Sequence, residues 1–328
     1  MACYHNPAMV LPNRAPLLGI SLILLVLAGL LPAAQPVAGE KPLVVSTTSV
    51  LGSIVEDLAG DRVEVVVLVN PTICPAHYDV KPGDVYAISR ASLILYHGIE
   101  GWLNQLYESS GSRAELVKIS SGWSTPEGAR KYYEEVAEAL RSKLGIDVSA
   151  RLEQRLKELD DAARQIMDEA RSKQTSSIKV IVMEWQRAFV EWLGFEVVDT
   201  FGPPEKVSSA DIEGLVRAGV ENDVALVVSN LQSGVELGET VAREIGAIHV
   251  VLSNFPGSSP ETKTLIDLIK RNAGSMLGSS DMLAVKRELS RTVGEAELYR
   301  ALSYILAALV AVESMILAYL AVRRWRKI

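Results

Sequence analysis

The chain has 328 residues, with 33 Lys and Arg against 40 Asp and Glu, giving a net charge of −7. At 48% hydrophobic and 22% charged residues it is a folded chain of about two domains and not a disordered one. The acidic balance excludes a general nucleic-acid binder, which needs a basic stripe for phosphates, and two cysteines exclude a disulfide-dense scaffold.

Arg14 precedes an uncharged stretch from Ala15 to Gly39, in which the apolar run Leu17 to Leu27 gives way to small residues ending at Ala38 and Gly39. This pattern predicts a secretory signal peptide over residues 1–39, an uncleaved anchor being the other reading. No cysteine closes the run, so lipid attachment there is not expected. Removal of the segment leaves Cys74 as the single thiol, either buried and inert or chemically active.

From Lys41, short β-branched runs alternate with helical stretches. Leu43 to Thr47, Val63 to Val69, Ser92 to Tyr96 and Glu115 to Ile119 read as strands, with helices over Ser49 to Ala59 and Pro82 to Ala91. Strands this apolar, spaced by helices, predict a parallel sheet covered on both faces. The region after it has no proline from Lys131 to Phe201. Leu152, Leu156, Leu159, Ala163, Ile166 and Ala170 then recur at steps of three and four. That stripe predicts one helix of about 25 residues, roughly 37 Å long, acting as a stiff connector.

The second half repeats the plan. Ile178 to Met183, Phe195 to Thr200, Val224 to Ser229 and Ile248 to Leu252 read as strands. Ala188 to Leu193, Ala210 to Ala218, Glu236 to Ile245 and Glu261 to Asn272 read as helices. Near the C-terminus, Ala301 to Val322 is apolar except for Glu313, and Arg323, Arg324, Arg326 and Lys327 follow at once. Twenty-two helical residues reach about 33 Å, enough to cross a hydrocarbon core, and the basic cluster stays cytoplasmic. Glu313 is costly in lipid and calls for a polar partner or a protonated state.

Ligands of parallel sheets bind beyond the carboxyl ends of the strands. The loops after Val69, Tyr96, Ile119, Met183, Ser229 and Leu252 are therefore the candidates. The first of them carries Cys74 and His77 in a proline-rich frame, Asn70-Pro71-Thr72-Ile73-Cys74-Pro75-Ala76-His77-Tyr78. A Cys-x-x-His pair can present sulfur and imidazole to one metal ion.

Leu43-Val44-Val45-Ser46-Thr47-Thr48-Ser49-Val50-Leu51-Gly52, then Gly60-Asp61-Arg62-Val63-Glu64-Val65, resembles the start of the metal-specific receptors of ABC importers, zinc and manganese type. The proline-rich loop is similar to that family's D-P-H-x-Y-E-P-T-P-x-D signature. Tyr96-His97-Gly98-Ile99-Glu100-Gly101-Trp102-Leu103 resembles its Y-N-G-…-E-x-W-L stretch. The likeness ends near Leu277. It implies an α/β fold of two lobes with four-stranded parallel sheets joined by one long helix, and one metal held between the lobes. A C-terminal transmembrane helix completes the expected architecture. The expected boundaries are a signal peptide over 1–39, lobes over 40–148 and 176–278, and the connecting helix over 149–175. A stalk over 279–300, an anchor over 301–322 and a basic tail over 323–328 follow.

The family's four ligand positions depart from its pattern in this chain. Ala76 stands where the first histidine belongs, with His77 one residue later. Ser121 takes the second position, Gln186 the third and Asn254 the fourth. Replacement donors lie nearby. Cys74, His77, His97 and Glu184 together offer a sulfur, two nitrogens and a carboxylate, a tetrahedral set for Zn²⁺. Ser121, Gln186 and Asn254 are expected as outer groups or alternative ligands. Each candidate has a plainer role open to it: Cys74 as a buried filler, His97 bonded to a neighbouring loop, Glu184 as a helix N-terminal carboxylate. Glu100 is expected to brace the loop. Trp102, Trp123, Trp185 and Trp192 are expected in packing, and His249 as a satisfied core histidine.

The expected function is that of an extracytoplasmic receptor, monomeric and membrane-anchored, that captures a divalent transition metal and presents it to an ABC permease. Thiolate and imidazole favour Zn²⁺ or Cu⁺; without Cys74, Mn²⁺ or Fe²⁺ returns. The alternative is a receptor of the same fold for a non-metal solute. The absence of G-x-G, phosphate-loop and G-x-S-x-G patterns argues against an enzyme.

Overall fold

In the computed structural model, which describes residues 40–325, four-residue strands begin the first lobe: β1 (Leu43–Ser46), β2 (Glu64–Val67), β3 (Leu93–Tyr96) and β4 (Glu115–Lys118). They form one parallel sheet in the order β2-β1-β3-β4. Its helices are α1 (Ser49–Ala59), α2 (Pro82–Arg90), α3 (Leu103–Ser110) and α4 (Pro126–Leu144). Val44, Val45, Leu93, Ile94 and Leu95 are all fully buried, as expected for strands covered on both faces. The expected signal peptide lies outside the described residues, as does the end of the basic tail.

The second lobe repeats the topology with β5 (Lys179–Met183), β6 (Glu196–Phe201), β7 (Leu226–Asn230) and β8 (Ile248–Leu252), in the order β6-β5-β7-β8. Its parallel ladder slips by one residue between Val180 and Ile181. The covering helices are α6 (Arg187–Trp192), α7 (Ser209–Glu221) and α8 (Glu236–Ile245).

Between the lobes runs α5 (Ser149–Ser172), 24 residues long. α4 ends at Gly145, whose φ of +66° is cheap only for glycine. Asp147 then accepts from the Ser149 backbone N–H and hydroxyl, starting α5. The buried stripe of α5 is Leu159, Ala162, Ile166 and Ala170. Ala162, not the expected Ala163, lies at its centre. One continuous hydrophobic core takes in α1, α5, β5 and the start of the last helix, so the lobes share an interior.

The last helix, α9, runs unbroken from Leu265 to Trp325. Sixty-one residues at 1.5 Å each make it about 92 Å long. Leu265, Ile269, Met276 and Leu283 are buried against the lobe, whereas Val285, Leu289 and Tyr299 are exposed. No break separates the lobe's last helix from the expected stalk and anchor. It is the helix, among the described residues, that is long and apolar enough to cross a membrane.

Candidate functional site

A cleft of about 360 Å³ opens between the lobes at the carboxyl ends of both sheets. The first lobe supplies Cys74, Pro75 and Ala76 from the loop after β2, Ile99 from the loop after β3, and Trp123 from the loop after β4. The second supplies Trp185, Asn230, Gln232 and Asn254 with its neighbour Phe255.

The loop holding Cys74 is fixed by its own side chains. Trp102 donates from Nε1 to the Pro75 carbonyl at 2.8 Å, and Tyr78 donates to Asp84 Oδ2 at 3.0 Å. Opposite, Gln232 donates to the Pro71 carbonyl at 2.7 Å and to Ser253 Oγ at 2.9 Å, tying the lobes together across the cleft. Trp123 donates from Nε1 to the Asn254 carbonyl at 2.8 Å, and Ser49 donates to the Pro256 carbonyl at 2.7 Å. Trp123 and Trp185, expected in packing, are cleft walls, and Trp185 is half exposed.

The expected donors are not brought into one cluster: no group of three His, Cys, Asp or Glu side chains meets among the described residues. Cys74, a half-buried free thiol, faces the cleft. His77 turns outward beside it. Glu184 is exposed on the first turn after β5, while the cleft wall there is built by Trp185. Gln186 is buried and donates to Asn254 Oδ1 at 2.9 Å, so two of the alternative ligands bind each other. Ser121 donates to Glu135 Oε1, a residue of α4.

His97 is corrected most clearly. It is 5% exposed, with Thr48 Oγ1 2.6 Å from Nε2 and Tyr132 Oη 2.7 Å from Nδ1. The Tyr132 hydroxyl also lies 3.3 Å from the Ile119 carbonyl, so both ring nitrogens sit within a hydrogen-bonded chain inside the lobe. Both nitrogens of this neutral imidazole are occupied, leaving no lone pair for a metal. Glu100 braces the same turn, accepting from the His97 and Gly98 backbone N–H groups and from Thr47. His249 pairs with Ser229 Oγ at 2.8 Å within the second lobe.

Burial pushes the His97 imidazolium down from 6.5 to about 4, opposed by the Glu100 carboxylate. The unfolded chain therefore takes up a proton that the folded chain refuses as pH falls from about 6.5 to about 4. Stability present above that window is lost within it, by roughly 3 kcal/mol in total. Urea unfolding at stepped pH checks this. A His97→Gln variant should lose most of that slope, and an unchanged slope would refute the assignment.

The sequence reading missed Glu205. It follows Pro203-Pro204 at the end of β6, and its Oε1 lies 3.8 Å from His77 Nε2, both side chains exposed. β2 and β6 are the equivalent edge strands of the two sheets. The pair thus joins matching loops of the two lobes, and the available signal was a second proline-framed loop mirroring the first. The cleft interior is otherwise uncharged: no His, Asp, Glu, Lys or Arg lines it among the described residues.

The family model described as zinc-uptake complex component A, periplasmic, matches residues 44–277. A manganese-binding lipoprotein of Halalkalibacterium halodurans is 25% identical over 276 residues, covering 73% of this chain and 88% of that protein. Among solved structures, the periplasmic zinc-binding protein TroA of Treponema pallidum superposes with a TM-score of 0.64 at 18% identity, over 73% of this chain and 99% of that one. The manganese-bound periplasmic metal-binding protein of Candidatus Liberibacter asiaticus gives 0.61 at 18% identity, over 73% and 100%. These likenesses of structure are likenesses of fold.

Proposed function

The chain belongs to the zinc-uptake component A family, and from that premise we propose that it is the extracytoplasmic receptor of an ABC importer, taking a divalent transition metal between its lobes and handing it to a permease. The observation that carries this reading is the interlobe cleft, with an imidazole of one lobe facing a carboxylate of the other beside it. We assign His77 and Glu205 as first donors, in place of His97 and Glu184, with Cys74 as a third that metal binding would have to draw in, since the three do not meet in the structure. Cys74 and His77 sit at the two ends of a single tight turn, where the His77 N–H bonds the Cys74 carbonyl. Sulfur, nitrogen and carboxylate together favour zinc over manganese.

The same proposal places the lobes at 40–148 and 176–278 and the connector at 149–175. The anchor is at 301–322, with the basic residues after it on the cytoplasmic side. A receptor tethered this way searches for its permease at a raised local concentration.

The test is metal content and titration calorimetry on the full chain in detergent. One equivalent of zinc is expected, with Kd raised at least about tenfold by His77→Ala, by Glu205→Gln or by Cys74→Ser, as loss of a metal-site group generally costs. A wild-type chain that takes up neither zinc nor manganese refutes the metal reading.

One observation favours a second reading. The cleft interior has aromatic faces, three primary amides and a thiol, but no charge to neutralise a bare cation. A small uncharged solute suits it. Binding of such a solute by a chain that takes up no metal would select this reading.

A further inference from the structure

The exposed part of α9 carries an ordered pattern that the receptor role does not use. From Met282 to Leu320, steps of three and four alternate without a break, through positions 285, 289, 292, 296, 299, 303, 306, 310, 313 and 317. Over 284–300 this seam holds Val285, Leu289, Thr292, Ala296 and Tyr299, four of the five apolar. Every charged residue of that stretch lies off the seam. Val285, Leu289 and Tyr299 are 68%, 63% and 70% exposed, so the stripe has no partner among the described residues of its own chain. A helix standing in water does not need its apolar residues aligned; a helix that pairs does.

We propose that this stripe binds the same stripe of a second copy, so that two receptors stand on one parallel coiled-coil stalk that continues into the membrane. The seam repeats every seven residues, which makes paired helices wind around each other left-handedly. The flanking charges fit a parallel, in-register pair. Glu295 immediately precedes seam position 296, and Arg300 immediately follows seam position 299. In a parallel pair these flanks meet, acid to base, on both sides of the seam. Within its own chain Glu295 is held by Arg291, one turn earlier on the same helix. Asp281 and Lys286 are instead engaged with their own chain, through Lys173 at the end of the connector and the Gly246 carbonyl of the second lobe, so the seam is free of such contacts from Leu289 onward.

The membrane supplies the remaining constraint. On the anchor reading, which this inference rests on for the span alone, both copies insert with their basic tails on the same side and can meet only in parallel. Glu313 falls on the seam, in the middle of the span. Two such carboxyls facing each other can hydrogen-bond across the seam, which accounts for a polar group that lipid would otherwise penalise. Polar residues at seam positions also fix register, at some cost in stability. The proposed pair departs from the expectation of a monomeric receptor.

The test is cysteine scanning of the full chain in native membranes, on a background carrying Cys3→Ser and Cys74→Ser. Disulfide-linked dimers should form at Leu289→Cys, Ala296→Cys and Tyr299→Cys and be sparse at Gly294→Cys and Glu297→Cys. Equal yields at all five positions, or none in a chain that stays in the membrane pellet after an alkaline wash, would overturn the proposal. Loss from that pellet instead marks failure of the anchor reading, after which the stalk is tested alone by the dimeric state of the soluble chain. Charge reversal tests register. Glu295→Arg and Arg300→Glu should each lower the Tyr299→Cys cross-link several-fold, and the two together should restore it. No restoration would exclude the parallel in-register pair.

Discussion

Trp123→Ala should lower the stability of the two-lobed part by roughly 3 kcal/mol, the low end of the range for removing a large aromatic side chain from a packed site. The Trp123 ring lies 4.7 Å from the His97 ring and 6.0 Å from the Phe255 ring, centre to centre. It therefore packs one residue of each lobe, and its Nε1 also donates to the Asn254 carbonyl of the second lobe. Truncation removes an interlobe fastener and a wall of the cleft at once, so the cost appears in stability and in cargo affinity together. A loss of that size corresponds to a Tm lower by about 10 °C for a folded part of this size. Trp123→Phe keeps the stacking and loses the indole N–H, and should cost only about 1 kcal/mol. Thermal melting of the three proteins, with and without cargo, checks both magnitudes. An alanine variant that melts with wild type would show that the lobes are held by the shared core and the remaining interlobe hydrogen bonds of Gln232 and Ser49.

Asp57→Ala should be of similar size, for a different reason. The Asp57 carboxylate is 3% exposed at the end of α1, where Arg155 of α5 meets it at 2.5 Å and Arg151 at 3.4 Å. Tyr133 of α4 donates to its other oxygen at 2.8 Å. Removing the carboxylate strands the charge of an Arg155 side chain that is only 18% exposed. Breaking a buried pair by deleting one partner costs about 3–5 kcal/mol. The low end is expected here, because Glu158 still pairs with Arg155. The variant Asp57→Leu/Arg155→Met removes both charges and should recover much of the loss, since apolar replacement of a whole buried pair is often tolerated. A double-mutant cycle on urea unfolding measures the coupling, expected to exceed about 1 kcal/mol. A coupling near zero would mean that α5 is held to the first lobe by apolar packing and not by this contact.

Much of the site was hidden at the level of sequence, and His97 and His77 show why. The motif around His97 ends a strand in a ligand-bearing loop, so its position in the fold was legible. Its use was not, because that depends on Thr48 and Tyr132, 49 and 35 residues away. Ser121 is similar: the loop was identified, but its hydroxyl turns to Glu135 on the following helix. His77 was singled out with its loop, yet its facing group, Glu205, lies on the other lobe and carried no motif of its own.

The elements themselves were legible because short-range periodicity encodes them. Runs such as Leu43-Val44-Val45 in the first half and Leu226-Val227-Val228 in the second are too apolar for any place but a sheet buried on both faces. The stripe through Leu159 and Ile166 specifies a connector helix, and the apolar stretch after Arg300 specifies a helix long enough to span a bilayer. Burial follows from a residue's own side chain and its neighbours three or four places away, so the pattern is written locally. Which polar groups meet was settled only when the lobes packed. Asp57 finds Arg155, Trp123 finds Asn254, and His97 is satisfied and withdrawn from the cleft. A hydrogen bond or ion pair needs a partner within about 3 Å. Which residue arrives there depends on how two sheets and a long helix pack, and no local pattern records that.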